Sequence, residues 1–138
     1  MDFRVTVDES PSAAIVRVSG EIDAYNTPAF GRSVKASLER GQAHLVLDFE
    51  RVDYIDSCGL GVLIAVLKAL SARRGSVHVV LAQEHLKRLL SITGLGRVLS
   101  VHDSLDAALA AVRQTAPGSK RHPFSLAAAD RIAPWSAG

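Results

Sequence analysis

The chain is 138 residues long, 48% hydrophobic and 22% charged, which suits one domain large enough to bury a core. The net charge of +2 is too small to mark a nucleic-acid surface, and all of it comes from Lys120, Arg121 and Arg131 against Asp130 near the C-terminus. The single cysteine, Cys58, excludes an internal disulfide and a cysteine zinc site, no apolar run has the length of a membrane span, and Met1-Asp2-Phe3-Arg4 is not a signal peptide, so the expected compartment is the cytoplasm.

Phe3-Arg4-Val5-Thr6-Val7 and Ala14-Ile15-Val16-Arg17-Val18-Ser19 alternate apolar and polar residues, so both read as strands, with Glu9-Ser10-Pro11-Ser12 as the hairpin turn. Gly20-Glu21-Ile22-Asp23-Ala24-Tyr25 leaves the second strand. Asn26 or Thr27 then caps a helix with Pro28 in its first turn, where a missing N–H costs nothing. Phe30, Val34 and Leu38 give that helix a buried stripe, and Gly41 ends it. His44-Leu45-Val46-Leu47-Asp48-Phe49 is an apolar run of strand length. The longest apolar helix follows, through Leu60 to Leu70, and stops near Arg73-Arg74-Gly75. Ser76 to Ala82 is a valine-rich strand, and Leu86, Leu89 and Leu90 mark a short helix that ends before Gly94. Arg97-Val98-Leu99-Ser100-Val101 reads as a last short strand. Asp103 or Ser104 caps a final helix with Leu105, Ala108, Leu109 and Val112 on one face. A hairpin followed by alternating helices and strands implies an α/β fold with a mixed β-sheet.

Composition shifts at Pro117. The segment 117–138 holds three prolines, two glycines and three serines without usable periodicity, so the expected organisation is one domain over 1–116 and a disordered C-terminal tail over 117–138. Phe124, Leu126, Ile132 and Trp135 offer a docking segment there; an unstructured extension is the plainer reading.

The chain is organised around Val52-Asp53-Tyr54-Ile55-Asp56-Ser57-Cys58-Gly59-Leu60-Gly61-Val62-Leu63. Asp56 and Ser57 are both good helix N-caps. Gly59 and Gly61 are poor helix formers, and one reason for them is access, since another surface can then approach the backbone and the Ser57 hydroxyl. A serine at a helix N-terminus is also a natural seat for a phosphate, because free N–H groups and the helix dipole favour an anion. The plainer reading of Asp-Ser before an apolar helix is a cap. A rival class is an enzyme with Cys58 as nucleophile at the helix N-terminus, but no base at a recognised spacing, P-loop or dinucleotide fingerprint accompanies it. His44, His78, His85, His102 and His122 show no metal-ligand spacing and read as ordinary surface or strand residues.

Asp56-Ser57-Cys58-Gly59-Leu60-Gly61-Val62, preceded by Gly20-Glu21-Ile22-Asp23 and followed by Ile92-Thr93-Gly94-Leu95, resembles the bacterial anti-sigma factor antagonists of the STAS domain family over about residues 3–113. The resemblance implies a single STAS-like domain with helices packed mainly on one face of the sheet. It implies a regulator without enzymatic activity, cofactor or metal. The family pattern puts the phosphoacceptor after the aspartate, at Ser57; Cys58 departs from it, standing where serine or threonine is more frequent. The thiol is expected to pack where that residue did. The partner-binding set carried over is Asp23, Asp56, Ser57, Cys58, Gly59, Leu60 and Gly61, with Asp23 and Asp56 open to plain turn and cap roles as well. The implied partners are an anti-sigma factor that is also a serine kinase of the GHKL type, and a PP2C-like phosphatase. The resemblance implies that the unphosphorylated protein binds the anti-sigma factor and frees a sigma factor for stress response or sporulation, and that phosphate on Ser57 ends binding. A STAS subunit of a transporter or signalling complex without phosphoswitching is the alternative.

Overall fold

The computed structural model describes residues 2–114, so the segment expected to be a tail at 117–138 lies outside the described residues. The elements run β1 (Arg4–Glu9), β2 (Ala14–Ile22), α1 (Thr27–Glu39), β3 (His44–Ile55), α2 (Ser57–Ala72), β4 (Ser76–Val80), α3 (Glu84–Thr93), β5 (Ser100–His102) and α4 (Leu105–Gln114). Among the described residues they form one five-stranded sheet in the order β1-β2-β3-β4-β5. β1 and β2 pair antiparallel, as their hairpin turn dictates, and the other neighbours pair parallel through helical crossovers. The sheet is therefore mixed, as the element order implies.

The pleat sorts the strand residues between two cores. Val16, Val18, Leu45, Leu47, Phe49, Val77 and Val79 face α1, α2 and α3, with Phe30, Leu63, Leu67 and Leu90 completing that layer. The rings of Phe30 and Phe49 meet edge to face with centroids 5.8 Å apart. Ile15, Val46 and Val80 point the other way and are covered by Ala108 and Val112 of α4. Among the described residues, three helices thus share one face and the fourth covers the other. Burial on both faces explains why the middles of β3 and β4 read as near-continuous apolar runs.

β3 is twice the expected length. It pairs with β4 only from His44 to Asp48, and its outer half pairs with β2 alone. Beyond the end of β4 the Gln83 side chain substitutes for a strand, its Nε2 donating to the carbonyls of Phe49 at 2.8 Å and Val52 at 2.7 Å. β2 follows β3 outward through two irregularities, at Arg17/Ser19 and Gly20/Glu21. Gly20 has φ +90°, and a Cβ there would lie 3.0 Å from the backbone of Phe3. Alternation alone stops at Ser19 and Phe49 because the bulges break the two-residue period.

The last expected strand, Arg97 to Val101, is corrected. Leu95–Arg97 is a 3-10 turn, and Val98 and Leu99 donate back to the Leu95 carbonyl at 3.1 and 2.9 Å. Leu95, Val98 and Leu99 are buried by that turn, so their apolar run reflects core packing and the strand begins only at Ser100. Gly94, in the left-handed region at φ 81°, caps α3 where expected.

Candidate functional site

β2 and β3 run parallel and end side by side, at Ile22 and Ile55. Ligand sites in open α/β sheets lie beyond the carboxyl ends of such strands. The chain there is tied by Asp56. Its backbone N–H donates to the Ile22 carbonyl at 3.1 Å. Its side chain caps α2, Oδ1 accepting from the Gly59 N–H at 3.0 Å, while Oδ2 accepts from the Ala24 N–H at 3.1 Å. One carboxylate therefore joins the start of α2 to the loop between β2 and α1. Asp23 shapes that loop from within, its Oδ1 accepting from the N–H groups of Tyr25 and Asn26, both at 3.0 Å. The Asn26 amide closes it by donating to the Glu21 carbonyl at 2.9 Å.

Of the two candidate caps, Asp56 holds the position and Ser57 is the first helical residue. Ser57 is exposed, and its hydroxyl has no hydrogen-bond partner among the described residues. Cys58 is also exposed. The two glycines separate. Gly59 is buried, and a Cβ there would come within 2.8 Å of the Ile22 carbonyl oxygen and of Ile55 Cγ2. Its role is close packing of the helix start on the two strand ends. A Cβ at Gly61 would meet nothing within 4 Å, so that position keeps space open. Leu60 is half-buried and packs against the main core.

The space at Gly61 belongs to a groove of about 480 Å³ between α1 and α2. Its walls include Val34 and Leu38 of α1 and Val62, Ala65 and Ala69 of α2, with Lys35 among the lining and Ser57 and Cys58 at the α2 start. Gly31 of α1 mirrors Gly61, since a Cβ there would also meet nothing within 4 Å. Two aromatic rings stand out at the same edge, Tyr25 at 91% exposure and Tyr54 at 52%. Gly31, Lys35, Tyr25 and Tyr54 are not among the site residues expected from the sequence. A glycine inside a helix and a tyrosine in a Gly/Asp/Asn loop were the available signals.

Chemically, the site offers an accessible hydroxyl at the positive end of a helix dipole, beside a mostly apolar groove. Among the described residues no side chain hydrogen-bonds the Cys58 thiol, and no group of three or more His, Cys, Asp or Glu is placed to hold a metal ion. No helix among them is long and apolar enough to cross a membrane.

The STAS domain family model matches residues 4–108. The anti-sigma-B factor antagonist of Bacillus subtilis is 33% identical over 101 residues, covering 73% of this chain and 92% of that protein. The anti-sigma F factor antagonist of Paenibacillus polymyxa is 27% identical over 105 residues, covering 75% and 90%. Among solved structures, an anti-sigma factor antagonist from Mycobacterium paratuberculosis superposes with a TM-score of 0.75 at 31% identity, covering 81% of this chain and 95% of that one.

Proposed function

The chain belongs to the STAS domain family and, within it, to the anti-sigma factor antagonists, and on that premise we propose that it is a phosphoswitched partner of a serine-kinase anti-sigma factor. Its unphosphorylated form binds the anti-sigma factor and releases the sigma factor. Phosphorylation of Ser57 ends the binding, and a PP2C-like phosphatase restores it. Such proteins act by binding and catalyse nothing themselves.

The observation that carries this reading is the state of the Ser57 hydroxyl: exposed, unpartnered among the described residues, and at the mouth of an apolar groove. A partner seated on Tyr25, Tyr54 and the groove would enclose that hydroxyl. A phosphate adds about −1.5 to −2 charges and three acceptor oxygens, which the helix N-terminus tolerates in the free protein. In a complex the same dianion loses water against apolar walls and lies beside the Asp56 carboxylate. A penalty of roughly 3–4 kcal/mol lowers affinity by two to three decades.

The test is intact-mass analysis after incubation with candidate anti-sigma kinases and ATP, paired with binding of each product. Wild type gains one phosphate and dissociates. Ser57→Ala binds about as well as unmodified wild type and gains none. A phosphate on the alanine variant overturns the site, and a phosphorylated protein that still binds overturns the switch.

A further inference from the structure

The face of the sheet beneath α4 carries a line of polar side chains that crosses three strands. His44 Nδ1 lies 2.7 Å from Ser76 Oγ, Ser76 Oγ lies 3.0 Å from His78 Nε2, and His78 Nδ1 lies 3.0 Å from His102 Nε2. The register puts them there: His44 is opposite Ser76, His78 is two residues along β4, and His102 is opposite Val80 on β5. Ser76 and His78 are each 1% exposed, while His44 and His102 at the two ends are half-buried. A buried polar group without a partner is costly, so each of these junctions needs one hydrogen and one acceptor.

Those needs limit how many protons the chain holds. With all three imidazoles neutral, the hydrogens point one way along the chain, from His44 through Ser76 to His102 or the reverse. One added proton also fits. On His44 it goes with the first direction and on His102 with the second. On His78 both ring nitrogens donate outward, to Ser76 and to His102. Two added protons do not fit. With His44 and His102 both charged, His44 Nδ1 and His78 Nε2 both donate to Ser76 Oγ, and the buried Ser76 hydrogen loses its acceptor. With His78 and His102 both charged, two N–H groups face each other across 3.0 Å.

We propose that His44, Ser76, His78 and His102 form a one-proton chain, in which protonation at one end of the α4 face opposes protonation at the other and a second proton opens the Ser76 junction. The proton thereby selects which hydrogen-bond arrangement this face holds. Other ionisable groups on the surrounding elements are Asp48 of β3, beside Arg17 of β2; Asp103 after β5, paired with Lys87 of α3; and Asp106 and Arg113 of α4. Asp103 favours charge on His102, while burial disfavours it on all three histidines. Burial together with the two neighbouring imidazoles holds the central His78 at about 4, so the first proton enters at an end.

The experiment follows the histidine ring signals of the full chain by NMR between about pH 8 and pH 4. In wild type the titrations of His44 and His102 are coupled, the second held about one to two pH units below the first by the orphaned hydroxyl. Ser76→Ala removes the shared acceptor and leaves the imidazole charges and Asp103 in place, so the part of the separation set by the orphaned hydroxyl is lost and the two curves move closer together. His102→Gln and His44→Gln test the same coupling if the alanine variant does not fold; the end that titrates second in wild type takes its proton at higher pH when the other end is glutamine. A separation unchanged in Ser76→Ala, or a second-site curve unmoved when the other end is glutamine, overturns the proposal.

Discussion

Gly59 and Gly61 lie two residues apart in one helix, yet the structure assigns alanine opposite effects at them. At either site alanine gains about 1 kcal/mol of helix propensity over glycine. At Gly61 nothing opposes that gain, because the new methyl meets open groove. Gly61→Ala is therefore expected to stabilise the domain by about 1 kcal/mol, or about 4 °C in Tm. At Gly59 the methyl would come within 2.8 Å of the Ile22 carbonyl oxygen and Ile55 Cγ2 and 2.9 Å of Ile22 Cγ2. Ordinary carbon contacts are about 3.5–4.0 Å, and overpacking of this kind costs about 1–3 kcal/mol. The carbonyl is backbone at the end of β2 and cannot swing aside. Moving the helix instead loosens the Asp56 cap on the Gly59 N–H, a loss of about 1 kcal/mol. The net effect of Gly59→Ala is a destabilisation of about 2 kcal/mol, so the two alanine variants differ by about 3 kcal/mol. With a urea m-value of about 1.5–2 kcal/mol/M, that separates their midpoints by about 1.5–2 M. Coincident midpoints, or a Gly59→Ala variant more stable than wild type, would refute the close seating of α2 on Ile22 and Ile55. The groove reading makes a second demand: Gly61→Ala, though more stable, binds the anti-sigma factor about tenfold more weakly.

Asp56→Ala removes the α2 cap and the tie to Ala24 together and is expected to cost about 2 kcal/mol in urea unfolding, with Asp56→Asn, which keeps one acceptor oxygen, losing about half of that. His78 is held at about 4 when folded against an ordinary 6.5, so the unfolded chain takes the proton first. Stability is then flat above about pH 6.5 and falls as pH drops toward 4, by on the order of 3 kcal/mol from this group, as read by unfolding midpoints across that range. Phosphate on Ser57 is expected to move amide signals in the first turns of α2 and the Asp23–Asn26 loop, because the helix end accommodates an anion without breaking. Widespread shifts through β3 and β4 would mean a global rearrangement instead.

Much of the fold was legible because its determinants are local. Phe30, Val34 and Leu38 mark α1 by spacing, and Pro28 stands in its first turn. Gly94 ends α3 by its left-handed conformation. Ser104 caps α4, its Oγ accepting from the Ala107 N–H at 3.1 Å. The run at Arg97–Val101 misled because apolar residues in a buried turn and in a short strand look alike over five positions. At the candidate site, the place of Ser57 at the helix start was legible from the sequence, but the choice of Asp56 as cap was not. Both residue types cap helices, and the selection was made by Ala24, thirty-two residues earlier, which gives Asp56 a second donor.

The amino-acid order by itself determined the helices, the order of elements and with it the mixed character of the sheet, the STAS signature and the place of Ser57 at the head of an apolar helix. Each of these rests on short local stretches and on their order along the chain. Only the tertiary structure decided that Gly59 is a packing contact and Gly61 an opening, that α4 covers the second face, and that three histidines far apart in the chain share one line of hydrogen bonds. Those facts depend on strand register. A shift of one residue in β4 would turn Ser76 and His78 to the other face and leave His44 and His102 without their partners. Register is a property of whole strands and of the two cores on either side of them, and no local stretch of this chain encodes it.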